Sequence, residues 1–379
     1  MNAGGADSDP APEPGPTAPD AAAGGSSSDN PDASPDSPSE LPEAGGPSQM
    51  PDPGPPSVQF IGRFDGSPDT GMRFAWSGSG VRARFRGTSV SVNLEDSGSN
   101  WFSVVIDDQV LSPFSAMAGS NSYQLADGLA DGEHQVDLYR RTEANQGASI
   151  FHGFDLGNGE LLSPPRTHKH RLEVIGDSIT CGYGDEGTSA SCSFTPDTEN
   201  HYKSYEAVAA RALDAELVTI AWSGKGIVYN YGDDMNEPLP ELYDRTIPTE
   251  AQSTWDFSFQ PEAVVINLGT NDFSTDNDPS AELFHDRYTA FLEHLRSKYP
   301  DAFIFCTVGP MLGGDDLDAA RSGIDAAIAT RNDAGDDRLK AWEMNISNDN
   351  PGCDYHPSVA THAAMAMALQ QELEAELGW

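Results

Sequence analysis

Between residues 57 and 165 apolar and polar positions alternate in short runs. In Ser89-Val90-Ser91-Val92-Asn93-Leu94 the alternation is strict, so one face of that segment is buried and the other meets water. Runs at 72–76, 81–85, 101–106, 134–139 and 150–156 are equally short and rich in Val, Phe and Tyr. Asp65-Gly66, Gly78-Ser79-Gly80 and Asp131-Gly132 punctuate them with turn chemistry. Closely spaced strands with no helical period between them predict an all-β sandwich over 57–165.

The pattern changes after Pro164-Pro165. Apolar runs at 172–175, 217–221, 263–268, 302–308 and 339–343 read as buried strands. Segments 202–213, 280–299, 315–332 and 358–377 carry helical spacing. Strand and helix alternate, which predicts an α/β domain over 166–379, with a parallel sheet covered by helices on both faces. Its ligand site belongs at the carboxyl ends of the strands.

Composition separates a third segment. The chain has 21 Lys and Arg against 60 Asp and Glu, a formal charge of −39. Residues 1–56 hold ten of the acidic residues and 14 of the 28 prolines, with no Lys, Arg or aromatic residue. Such a mixture buries too little apolar surface to offset chain entropy, so the expectation is a disordered acidic linker rich in Pro, Ser and Gly. What remains still carries 21 basic residues against 50 acidic ones. Clustered phosphate-binding cations are absent, which argues against nucleic acid as a partner. No apolar run is long enough to be a membrane-spanning segment. The leader and the cysteines point to a secreted or cell-surface protein from which a signal or lipid-anchor segment has been removed; a monomer is the default expectation, with nothing in the sequence arguing for it.

Candidate chemistry sits at the ends of the predicted α/β strands. Gly176-Asp177-Ser178-Ile179-Thr180 follows the first and places Ser178 on a strand-to-helix turn, where its hydroxyl is a candidate nucleophile and its own N–H faces the cleft. Alone, Gly-Asp-Ser reads as well as a turn or a helix cap. Gly224, in Ala221-Trp222-Ser223-Gly224-Lys225-Gly226, and Asn271, in Gly269-Thr270-Asn271-Asp272, follow the next two strands and offer a backbone and an amide donor to an oxyanion. In Asp354-Tyr355-His356-Pro357, before the last helix, His356 is a candidate general base and Asp354 its orienting group. Four elements in this order supply one each of the parts that acyl transfer needs.

With these residues the chain resembles the SGNH (GDSL) hydrolases over about 171–379. With the upstream sandwich and the strings at 176–184, 195–205, 223–230 and 352–358, it resembles more narrowly carbohydrate esterase family 2. The resemblance implies a jelly-roll domain joined to a flavodoxin-like catalytic domain that removes acetyl groups from plant polysaccharides, as acetyl xylan esterases do. It implies Ser178 as nucleophile, Ser178, Gly224 and Asn271 as the oxyanion hole, and His356 as base. One position departs from the wider superfamily, which places its Asp three residues before the His; here Cys353 stands there and Asp354 is two before. The Asp354 carboxylate is the favoured partner of His356, against a nearby backbone carbonyl such as that of Tyr355.

Trp222, Tyr229 and Tyr231 are expected to stack on a sugar face. Of the four cysteines, the favoured pairs are Cys181 with Cys192 and Cys306 with Cys353. No zinc spacing is present, and neither metal nor cofactor is expected. The predicted activity is that of a serine esterase acting on an acetylated polysaccharide or oligosaccharide such as xylan or glucomannan. A lipase or thioesterase of the same fold, a peptidoglycan O-acetylesterase and a non-enzymatic glycan-binding module are the alternatives.

Overall fold

An antiparallel sheet of ten strands and a parallel sheet of five organise the described residues. The structure, a computed structural model, describes residues 57–67, 69–98 and 100–379. The expected linker at 1–56 lies outside the described residues.

The amino-terminal region consists of strands β1 (Gln59–Ile61), β2 (Asp65–Ser67), β3 (Gly71–Phe74), β4 (Gly80–Asp96), β5 (Trp101–Ile106), β6 (Gln109–Val110), β7 (Phe114–Ser115), β8 (Gly119–Arg140), β9 (Ser149–Asp155) and β10 (Glu160–Leu161). The long antiparallel pair β4 and β8 forms its spine, and β9 flanks the second half of β4. The runs predicted at 81–85 and 89–94 are one strand. Val81, Ala83 and Phe85 point into the core at odd positions, and Val90, Val92 and Leu94 enter the same core at even ones. A register irregularity between Gly87 and Ser89 absorbs the change of parity, as a bulge does. The first half of β8 was not anticipated, because its largely exposed Gly, Asp and Ser-rich sequence lacks the apolar pattern of a strand.

The second region has strands β11 (His170–Gly176), β12 (Ala215–Ala221), β13 (Ala263–Asn267), β14 (Phe303–Thr307) and β15 (Leu339–Ala341), all parallel, in the order β12-β11-β13-β14-β15. Between them run helices α1 (Ser178–Cys181), α2 (Tyr205–Ala212), α3 (Leu239–Leu242), α4 (Ala281–Lys298) and α5 (Gly314–Asp333), and α6 (Val359–Leu377) closes the chain. Helices α2 and α6 pack on the sheet face carrying Leu172, Val174, Val265 and Phe305. Helices α4 and α5 cover the opposite face with Ile304, Cys306 and Val308. Every residue of β13 is buried, which is why this strand reads as a continuous apolar run. Ser280 and Ser358 cap α4 and α6, accepting from the N–H groups of Leu283 and Thr361. The chain leaves β11 for β12 on one side and returns to β13 on the other, which opens a crevice at the carboxyl ends of β11 and β13.

The sandwich reaches into the α/β region at two places. Arg63 is fully buried, 3.7 Å from the Glu173 carboxylate of β11 and over the Tyr243 ring at 4.9 Å. Residues 140–143, at and directly after the end of β8, insert between the α/β loops, and Glu143 is fully buried there. No helix among the described residues is long and apolar enough to cross a membrane.

Candidate active site

Strand β11 ends at Gly176, where a Cβ would lie 2.0 Å from Thr180 Oγ1, so only glycine allows the chain to turn back this tightly. Asp177 caps the single helical turn that follows, its Oδ1 accepting from the Ile179 N–H at 3.0 Å, and Gly182 ends the turn with φ 76°. Ser178 is thereby fixed at the floor of the crevice.

Its Oγ lies 2.8 Å from His356 Nε2. The other ring nitrogen, Nδ1, is 3.0 Å from the backbone carbonyl of Asp354. A carbonyl only accepts, so Nδ1 carries the proton and Nε2 is left as acceptor toward Ser178. Burial, opposed by that carbonyl contact, lowers the His356 pKa below the usual imidazole value. The ring is therefore neutral and basic at neutral pH.

The expectation that the Asp354 carboxylate orients His356 is corrected here. The carboxylate turns away, accepting from the Phe194 N–H at 2.9 Å and from the Tyr183 hydroxyl at 3.2 Å. Asp354 and Tyr355 both have left-handed backbone, φ 49° and 63°, and this turn brings a carbonyl rather than a side chain under the ring. Tyr183, which lies in the string 176–184 but had no role assigned to it, covers the imidazole with ring centroids 4.3 Å apart and stacks on Phe194 at 4.1 Å.

Gly224 follows β12 with φ 79°. Its carbonyl accepts from the Tyr231 N–H at 2.8 Å, while its own N–H has no acceptor among the described residues. Asn271, after β13, sits beside Ser178, but its amide nitrogen is 2.9 Å from the Lys225 carbonyl and 3.2 Å from Asp177 Oδ2. Both amide hydrogens already have protein acceptors, so any donation into an oxyanion site is shared with one of them. Asp272 ties the two loops together: its carboxylate accepts from the N–H groups of Ile227, Val228 and Tyr229 at 2.7 to 2.9 Å. Burial pushes Asp177 up to about 7 and Asp272 up to about 6. Sequence reasoning gave neither aspartate this role, although each lies within a quoted motif.

Ser178, Gly224, Asn271 and His356 line a cleft of about 640 Å³ with Tyr183, Tyr231, Met311 and Tyr355. Of the three aromatic residues expected there, the structure brings only Tyr231 to the cleft. Trp222 and Tyr229 pack instead against the apolar core under α4 and β12. Position after a strand set their place in the sequence but not which way their rings point.

The cysteine pairs are also corrected. Cys192 is bonded to Cys353, with Cα atoms 4.6 Å apart, and Cys181 and Cys306 are free and buried. Cys306 is buried in the layer of α4 and α5, away from the 353 loop's partner Cys192. Cys181 points inward from α1 toward Glu143. The 192 loop folds back onto the 353 loop instead, with the Asp354 N–H donating to the Cys192 carbonyl at 2.9 Å. Among the described residues, Glu143, Cys181 and Glu199 form the one group with ligand atoms close enough for a metal, all within 4.8 Å. Glu143 Oε2 in that group already accepts from the Ser223 N–H at 2.7 Å.

Comparison with known proteins gives the same two parts. Residues 60–165 match the carbohydrate esterase 2 N-terminal family, and residues 174–364 the GDSL-like lipase/acylhydrolase family. The cellulase/esterase CelE of Acetivibrio thermocellus is 44% identical over 327 residues, covering 86% of this chain and 40% of that protein. The chain thus spans less than half the length of that relative. An acetylxylan esterase / glucomannan deacetylase of Cellvibrio japonicus is 29% identical over 336 residues, covering 86% of this chain and 90% of that protein. The solved structure of a family two carbohydrate esterase from Clostridium thermocellum in complex with cellohexaose superposes with a TM-score of 0.83 at 44% identity, covering 85% of this chain and 100% of that one. With a sandwich feeding a parallel-sheet domain and this serine and histidine at the strand ends, the chain belongs to carbohydrate esterase family 2, among the GDSL-like acylhydrolases.

Proposed function

We propose that this protein is a serine esterase that removes O-acetyl groups from polysaccharides through an acyl-enzyme. The observation that carries the reading is the Ser178 Oγ to His356 Nε2 contact of 2.8 Å at the floor of an open cleft. His356 takes the hydroxyl proton as Ser178 attacks the acetyl carbonyl. The N–H groups of Ser178 and Gly224, with a shared hydrogen of Asn271, stabilise the oxyanion. The protonated ring then returns its proton to the departing sugar oxygen, and water activated by His356 releases acetate.

Substrate class rests on the cleft and on the relatives. The exposed rings of Tyr231 and Tyr355 at its rim suit a sugar face. The acidic surface suits an uncharged glycan such as acetylated xylan or glucomannan. In this reading residues 57–165 form the jelly-roll domain and 166–379 the catalytic domain of a secreted or cell-surface monomer. Acetate release from acetylated xylan, glucomannan and peptidoglycan tests it, alongside nitrophenyl esters of increasing chain length. The expected result is release from the plant polysaccharides, a steep fall beyond two or three carbons, and about a million-fold loss in Ser178→Ala. Preference for long acyl chains would make it a lipase instead.

A further inference from the structure

The peptide that carries the Gly224 N–H is clamped from both sides, and one clamp comes from the sandwich. On the far side the Tyr231 N–H donates to the Gly224 carbonyl at 2.8 Å. On the near side the Ser223 N–H donates to Glu143 Oε2 at 2.7 Å, across 80 residues of sequence. Glu143 is fully buried, and its own anchoring is extensive. Its N–H donates to Glu199 Oε2 at 3.2 Å, and its carbonyl accepts from Arg140 Nη2 at 2.9 Å. Next to it, Arg141 Nε donates to the Glu199 carbonyl at 3.1 Å, and the Arg141 carbonyl accepts from the His201 N–H at 3.2 Å. The strap at 140–143 is thus seated in the loops that follow α1, and its one carboxylate ends on the backbone immediately before Gly224.

We infer that Glu143 is a positioning residue through which the β-sandwich sets the oxyanion hole of the α/β region. The inference rests on the esterase reading above and adds to it a role for the sandwich in the chemical step. A backbone donor acts on a developing oxyanion only if it is already aimed, and a displacement near 1 Å can cost about a hundredfold in rate. Gly224, with no Cβ and a left-handed φ, does not hold that aim by itself. Residues 222 and 223 define where the peptide starts, and Glu143 fixes the second of them. The carboxylate touches neither Ser178 nor His356, and its contact with the Ser178 turn is a weak one from Cys181 Sγ at 3.8 Å, so its loss leaves the nucleophile and base in place and acts chiefly on the tetrahedral state.

Two variants of nearly equal volume isolate the contact. Glu143→Gln and Glu143→Met both remove the charge, but only Gln keeps an oxygen that can accept from the Ser223 N–H. Kinetics on nitrophenyl acetate and acetylated xylan are measured for both, with melting temperatures and with the affinity of a boronic acid that forms a tetrahedral adduct on Ser178. In Glu143→Met, kcat should fall at least about tenfold with KM within twofold, and boronate affinity should weaken by the same factor. Glu143→Gln should retain activity within about threefold. Equal activity in the two variants, or a loss in Met that leaves boronate affinity unchanged, would overturn the inference. If Met fails to fold, Gln decides alone: a folded Gln variant whose kcat and boronate affinity both stay within threefold supports the contact, and a larger loss refutes it. Ser178→Ala is run in parallel. An active Ser178→Ala would sink the esterase reading itself, whereas an inactive one beside a parent-like Glu143→Met would sink only the role of Glu143.

Discussion

The carboxylate of Asp354 accepts from the Tyr183 hydroxyl at 3.2 Å, and what Asp354 offers to His356 is its backbone carbonyl. The ring is oriented by a neutral acceptor and roofed by the aromatic ring that its neighbour's carboxylate holds down. A carboxylate facing the imidazole would stabilise the cation formed during attack; a carbonyl chiefly fixes the tautomer.

Asp354→Asn should therefore lose less than about tenfold in kcat, near 1.4 kcal/mol, because Asn tolerates the left-handed backbone and keeps the carbonyl in place. A loss of three or four powers of ten in a folded Asp354→Asn would return the carboxylate to the ring.

The pH dependence follows from the same ring. His356 must be deprotonated to accept from Ser178, so kcat/KM rises with pH through its pKa. Burial lowers that value, which places the midpoint below 6.5. An imidazole NMR titration of the Ser178→Ala variant checks this directly. A midpoint above 6.5 would mean that a negative charge faces the ring.

The bond between Cys192 and Cys353 holds the loop that carries Asp354 and His356. Cys192→Ser or Cys353→Ser should lower the melting temperature by several degrees, within the about 2–4 kcal/mol of a typical disulfide, and should lower kcat as well. Thiol titration without reductant should find two groups in the unfolded chain and none in the folded one, since Cys181 and Cys306 are buried. Four thiols, or none, after unfolding would contradict the pairing.

Tyr231 is 67% exposed at the cleft rim, where little of its surface packs against protein. Tyr231→Ala should raise KM on acetylated polysaccharide by about two- to tenfold, the range of a single aromatic contact, and leave nitrophenyl acetate kinetics unchanged. Equal effects on both substrates would place the ring near the acetyl group rather than along the glycan.

Much of this protein was legible in the order of its residues. Alternation of period two marked the sandwich, and buried apolar runs alternating with helical spacing marked the parallel sheet, because both periodicities are set by local backbone geometry. Ser178, Gly224, Asn271 and His356 were legible for a related reason: each follows a strand or precedes a helix, and the topology of a parallel sheet gathers those ends at one edge. What the sequence did not determine is the direction of side chains in the loops. Trp222 and Tyr229 follow the same strand as Tyr231 yet pack against the core. Cys306 occupies the strand that suggested its pairing but is buried under α4 and α5. Asp354 stands beside His356 and presents a carbonyl, because two left-handed residues and the pull of Phe194 and Tyr183 outweigh proximity in sequence. Glu143 lies in another region, and only the folding of the sandwich against the α/β loops brings its carboxylate to Ser223. Contacts across 80 or 160 residues depend on how two surfaces dock, and no local pattern encodes that.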